Sequence, residues 1–197
     1  MMASNRDYDD IAFEGEKVDD QTLEASRFDN CSFKNCDFSH ATFRNCRFTD
    51  CSFDNSNLSV TQFPCTLLQG VAFNLCKMMG IDWPRMRCPS IQIPGVLSFE
   101  ECVLDDSSFF GLYLAETTMI SCRIHRVDFS EANCEQIDFS GSDLEDTIFN
   151  RTRLRGANFI DATHYSINIL ENDIKNARFS LPEAVALLDG LDIELHH

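Results

Sequence analysis

Ten cysteines, five histidines and thirty-two carboxylates could between them build a disulfide framework, a zinc centre or an acid–base pair. Their spacing argues against each. Zinc ligands come in tight pairs, and no such cluster occurs here. Seven cysteines (Cys31, Cys36, Cys46, Cys51, Cys76, Cys102, Cys122) lie two residues before a large apolar residue, and Cys88 and Cys134 stand where that apolar residue would be. A buried free cysteine behaves as a small hydrophobe, so packing accounts for nine of the ten. No phosphate-binding glycine loop, dinucleotide motif, zinc-protease helix or nucleophile elbow is present. His40 and His125 read as surface residues, and the many carboxylates lack a cleft that would perturb them. Neither catalysis nor a cofactor or metal is expected.

The elements that position these groups repeat every fifth residue. Phe28, Phe33, Phe38, Phe43, Phe48 and Phe53 form an unbroken series, and sixteen of the seventeen phenylalanines fall on this central position. Five matches neither the 3.6-residue period of a helix nor the two-residue period of a strand. It suits very short segments joined by tight turns, four to a coil of about 20 residues, with coils stacked about 4.8 Å apart. Thirty-four units predict roughly eight and a half coils and a rod about 40 Å long. Glycine and asparagine favour the place two after the centre, where a type II turn needs positive φ, and Pro64, Pro84, Pro89 and Pro94 each follow a centre. One extra residue shifts the frame within Pro94–Val96, so a local bulge is expected near Trp83, itself a packed centre. Cys31 with Cys51, and Cys102 with Cys122, should stack one coil apart as packed thiols, close enough that oxidation could occur. His164, the one polar centre, is expected to turn outward in a distorted coil.

The units Cys36-Asp-Phe-Ser-His, Ser56-Asn-Leu-Ser-Val, Ser142-Asp-Leu-Glu-Asp and Ala157-Asn-Phe-Ile-Asp resemble the pentapeptide repeat. The resemblance spans residues 11–179 and implies an all-β solenoid, a right-handed quadrilateral β-helix. Residues 180–197 change character. Ser180-Leu-Pro-Glu183 reads as a capping box for a short α-helix over Pro182–Asp189 that stops at Gly190. Leu181, Leu187, Leu188, Leu191, Ile193 and Leu195 are candidates for a lid over the last coil, a homodimer contact, or both. Residues 1–10 are polar and expected to be loose, and the first coil, with Glu16 and Gln21 inward, reads as a capping repeat. The terminal His196 and His197 receive no role. With its Phe-Ser-x-x-Glu-Ala tail over Phe179–Ile193, the chain is similar to Qnr-type quinolone-resistance and albicidin-immunity proteins. That likeness implies rods joined end to end and a dimer that binds DNA gyrase as a mimic of duplex DNA. The chain departs from many Qnr-type members in lacking long loops between coils.

The net charge of −16 suits such a role, although solubility alone would also explain it. Residues 99–146 carry twelve acids (Glu100, Glu101, Asp105, Asp106, Glu116, Asp128, Glu131, Glu135, Asp138, Asp143, Glu145 and Asp146) against Arg123 and Arg126. This stretch is expected to form a one-sided acidic field that a basic DNA-binding groove would attract, and it argues against direct binding of nucleic acid. The alternative is a structural or adaptor rod with a partner other than a topoisomerase. Plentiful reduced thiols and no signal peptide or membrane span suggest the cytoplasm.

Overall fold

The structure, a computed structural model, describes residues 2–87, 91–191 and 193. Every strand pairs in parallel with the segment one coil away. Ala12–Glu14, Ser32–Lys34, Ser52–Asp54, Val71–Asn74, Leu97–Glu100 and Thr118–Ile120 stack in register, placing Phe13, Phe33, Phe53, Phe73, Phe99 and Met119 in one column. Single bridges continue the ladder on this and the other faces, as in Lys17↔Asp37↔Asn57↔Lys77 and Tyr113↔Asn133↔Arg153. The chain is a parallel β-solenoid of about eight coils with four faces. The first face is centred on Phe13 and its stack, the second on Val18 and Phe38, the third on Leu23 and Phe43, and the fourth on Tyr8 and Phe28.

The core is a stack of rings. Phe13, Phe33, Phe53, Phe73 and Phe99 follow one another at centroid distances of 4.5 to 5.1 Å. Trp83 lies in the parallel stack between Phe63 and Phe109, at 5.7 and 5.4 Å, and is fully buried. Burying a phenylalanine contributes roughly 1.5–3 kcal/mol. A corner residue other than glycine at positive φ costs about 1–2 kcal/mol, less for Asn and Asp. Burial therefore wins at each unit, but narrowly, which is why Asn30, Asn35, Asn45 and Asn55 hold corners at φ near 50°.

The small inward residue does more than fill space. Thr61, Thr66, Ser142 and Thr152 each donate a hydroxyl hydrogen bond to the backbone carbonyl of a centre one coil below, at 2.6 to 2.9 Å. Ser56, Thr66 and Ser142 also accept from the amide of the inward residue below, at 2.9 to 3.0 Å. These bonds satisfy buried backbone groups that tight corners leave unpaired.

Four local expectations are corrected. Val71 pairs with Leu97, and Trp83 stacks on Phe109, so the coil there is 26 residues long rather than 20. Six residues, one full unit plus one, are inserted between Arg87 and Val96, and the frame shift is their remainder. Ile91 and Ile93 are accordingly 74% and 45% exposed, while Cys88 and Pro89 lie outside the described residues. The N-terminal segment is not loose: Asp7–Asp9 pairs with Arg27–Asp29, the Tyr8 ring stacks on Phe28 at 5.0 Å, and Met2 is buried. An open column end exposes ring faces, and these residues cover them. At the other end the helix is a 3-10 helix over Glu183–Leu191, with the Leu181–Pro182 peptide cis. The capping box does not form, because Ser180 Oγ instead accepts from the Asp161 amide at 2.7 Å, tying the tail to the last coil. His164 does turn outward, with φ of 56°, and Tyr165 takes its place against Phe159 and Phe179.

Candidate partner-binding surface

A coil visits all four faces in 20 residues, so a linear stretch of sequence cannot stay on one side. The twelve acids of residues 99–146 divide accordingly. Glu100, Glu101 and Asp138 lie on the first face, and Asp105, Asp106, Asp143, Glu145 and Asp146 on the second. Asp128 and Glu131 lie on the third, and Glu116 and Glu135 on the fourth. The expected one-sided field within this stretch is therefore corrected: the stretch wraps the rod.

Several of these carboxylates are also engaged. Asp105 is buried, receives Arg123 Nε and Nη2 at 3.0 and 2.7 Å, and accepts the His125 amide at 3.3 Å. Arg126 reaches Asp106 at 2.7 Å, and this hydrogen bond holds the Asp106 carboxyl below the usual carboxylate range. Asp143 contacts His125 Nε2 and His164 Nδ1, each at 2.8 Å. Burial would raise its carboxyl, but hydrogen bonds from His164 and His125 outweigh that and lower it. The same bond raises His164 above its ordinary value. Arg151 approaches Glu131 at 3.9 Å. Asp128 and Asp138 accept the amides of Ser130 and Ser140 at 2.8 and 2.9 Å, as turn braces. Glu145 lies 3.7 Å from His125 Nδ1 and Glu135 is half-buried, which leaves Glu100, Glu101, Glu116 and Asp146 exposed and without an ion pair among the described residues.

Across the whole rod the charge is unevenly divided among the faces. The first and second faces carry −4 and −5, the third and fourth −2 and −1, and residues 182–197 the remaining −4. Glu14, Asp54 and Asp161 on the first face, with Asp19, Asp20 and Asp37 on the second, belong to this acidic side although they fall outside residues 99–146. The signal was available in position modulo one coil, once the six-residue insertion is removed.

Of the tail residues, Leu181 and Ile193 are 80% and 53% exposed, joined by Val185 at 45%. Leu187 packs against the core, Leu188 and Leu191 are half-buried, and Leu195 lies outside the described residues. Nine described cysteines are free thiols, eight of them buried and Cys65 exposed. Among the described residues no group of three His, Cys, Asp or Glu side chains could hold a metal ion, and no helix is long and apolar enough to cross a membrane.

A parallel solenoid with a two-in-five inward pattern defines a class of rod-like repeat protein. The pentapeptide repeat region model matches residues 26–97 and 95–159, and the chain belongs to the pentapeptide repeat family. No curated protein matches it by sequence. Among solved structures it is similar to a trypsin-treated variant of QnrB1, a plasmid-mediated fluoroquinolone resistance protein, at 18% identity, 96% and 100% coverage of the two chains and a TM-score of 0.44. It is also similar to HetL, a protein involved in heterocyst differentiation regulation from the cyanobacterium Nostoc sp. strain PCC 7120, at 14% identity, 86% and 85% coverage and a TM-score of 0.43.

Proposed function

We propose that this chain is a non-enzymatic protein that binds DNA gyrase by presenting its acidic side to the basic channel that holds duplex DNA. The observation that carries this reading is the net charge of −9 on two adjacent faces of a rigid column. Spread over about 40 Å, that is one charge per roughly 4.5 Å, against one per about 1.7 Å on duplex DNA. The imitation is thus less than half as dense as its model, so it competes through shape as well as charge and weakens as salt rises. A ring-stacked core fixes the carboxylates before contact, which keeps the ordering cost of binding small. The exposed apolar set of Leu181, Val185 and Ile193 pairs two rods into a homodimer and extends the acidic side beyond one rod length.

The test is a supercoiling assay in which the protein is titrated against gyrase with and without a fluoroquinolone. Inhibition of supercoiling, or rescue from the drug, supports the reading; neither effect at low salt removes it. The adaptor alternative is separated by affinity capture from a bacterial lysate: gyrase subunits favour the first reading, and another stoichiometric partner favours an adaptor rod.

A further inference from the structure

The rod's least acidic side holds a groove built from arginines. On the fourth face the ladder sets Arg27 directly opposite Arg47, with Leu67 next and Arg87 one coil further, its amide bonded to the Thr66 carbonyl at 2.9 Å. With Ala25 and Cys65 at the adjoining corner, these residues line an open groove of about 300 Å³. Like charges directly opposite across a ladder destabilise a sheet. Six other arginines are paired with carboxylates, as in Arg44–Glu24 at 3.3 Å, Arg85–Asp82 at 2.8 Å and Arg126–Asp106 at 2.7 Å, while Arg6, Arg153 and Arg178 stand singly without an ion pair among the described residues. Arg27, Arg47 and Arg87 have no such carboxylate among the described residues; Arg47 Nε reaches only Thr49 Oγ1, at 3.1 Å. Three guanidinium groups are thus aligned without a direct carboxylate partner among the described residues, in a chain whose net charge is −16.

We propose that this groove binds a short polyphosphate group, the di- or triphosphate of a small molecule. Guanidinium forks match tetrahedral oxyanions bidentately. Arg27 and Arg47, about 4.8 Å apart at the backbone, can share one phosphate. Leu67 leaves the gap across which Arg87 takes the next. The groove has the size of a small-molecule site. Long nucleic acid fits worse, because its phosphates would run past the three coils of this row into the field of an acidic rod, which Asp29 and Asp50 already reach on this face.

The probe is inorganic tripolyphosphate, followed by calorimetry on the full chain at low salt. Cys65 gives a second readout, because a ligand in the groove should slow its alkylation, scored by peptide mass spectrometry. Binding that falls roughly tenfold or more in Arg47→Gln, with Cys65 protected in the wild type and Arg153→Gln unchanged, is the expected result. Arg153 occupies the same ladder position nearer the C-terminus. All four arginines are exposed, so folding of the variants, checked by circular dichroism, should be unaffected. No binding at millimolar tripolyphosphate, or an equal loss in Arg153→Gln, overturns the proposal. So does an oligonucleotide that binds through these arginines when tripolyphosphate does not.

Discussion

Val60 holds a corner at φ of 60°, a conformation in which a β-branched side chain is strained by about 1–2 kcal/mol. Asparagine tolerates it, so Val60→Asn is expected to raise stability by up to about 1 kcal/mol, read as a higher urea midpoint; an unchanged or lower midpoint would mean the corner is not strained. His164 offers a second test, because its bond to Asp143 raises its pKa above the ordinary 6.5. A raised folded value adds stability that is complete below the unfolded pKa and disappears as pH climbs through the folded one. An NMR titration should find His164 above 6.5 in the wild type and returned toward it in Asp143→Asn. Asp143, whose folded pKa is lowered, contributes in the opposite sense: its stabilisation is present above 3.8 and is lost as pH falls through the lower folded value. Cys51 illustrates the inert thiols of the core, its pKa pushed up to about 11 chiefly by burial.

Coils are held together by more than ring stacking. Thr66 donates to Phe43 O at 2.6 Å and accepts from the Cys46 amide at 3.0 Å. Thr66→Val keeps the shape and removes both bonds, so it should cost about 1–3 kcal/mol for the buried groups left unpaired, measured by urea unfolding. The repeat that organises these elements was legible in the sequence, since two inward residues in five leave few other solutions. The hydroxyl ladder was not, because small size alone explains Ser, Thr and Cys equally well. Nor was the inserted loop: Ile93 continues the five-residue count, so a whole extra unit was hidden behind a one-residue slip. At the start, Tyr8 keeps the period but sits among Asp7, Asp9 and Asp10, whose polarity suggested a loose segment. Deleting the six inserted residues 88–93 is expected to restore a 20-residue coil and change stability by no more than about 1 kcal/mol, since loop closure depends weakly on length. Collapse of the strand signal in circular dichroism would show that the insertion supports the coil.

At the scale of the whole rod, charge is sorted by face, and a window of sequence could not reveal that. The acidic side is half visible in sequence: residues 99–146 contain Asp105 and Asp106, yet both are tied to arginines, while Glu14 and Asp54 reach the acidic side from outside that stretch. End-to-end pairing should double the 22.4 kDa mass in light scattering, and Leu181→Glu should halve it again. A monomeric wild type would remove the dimer. The central claim is tested most directly by displacement of a fluorescent duplex from gyrase, followed by anisotropy at low and at physiological salt. Displacement is expected to weaken as salt rises and to be blunted when Glu100, Glu101, Glu145 and Asp146 are replaced by their amides. A duplex that stays bound at low salt under excess protein, or a variant that competes as well as the wild type, would contradict it.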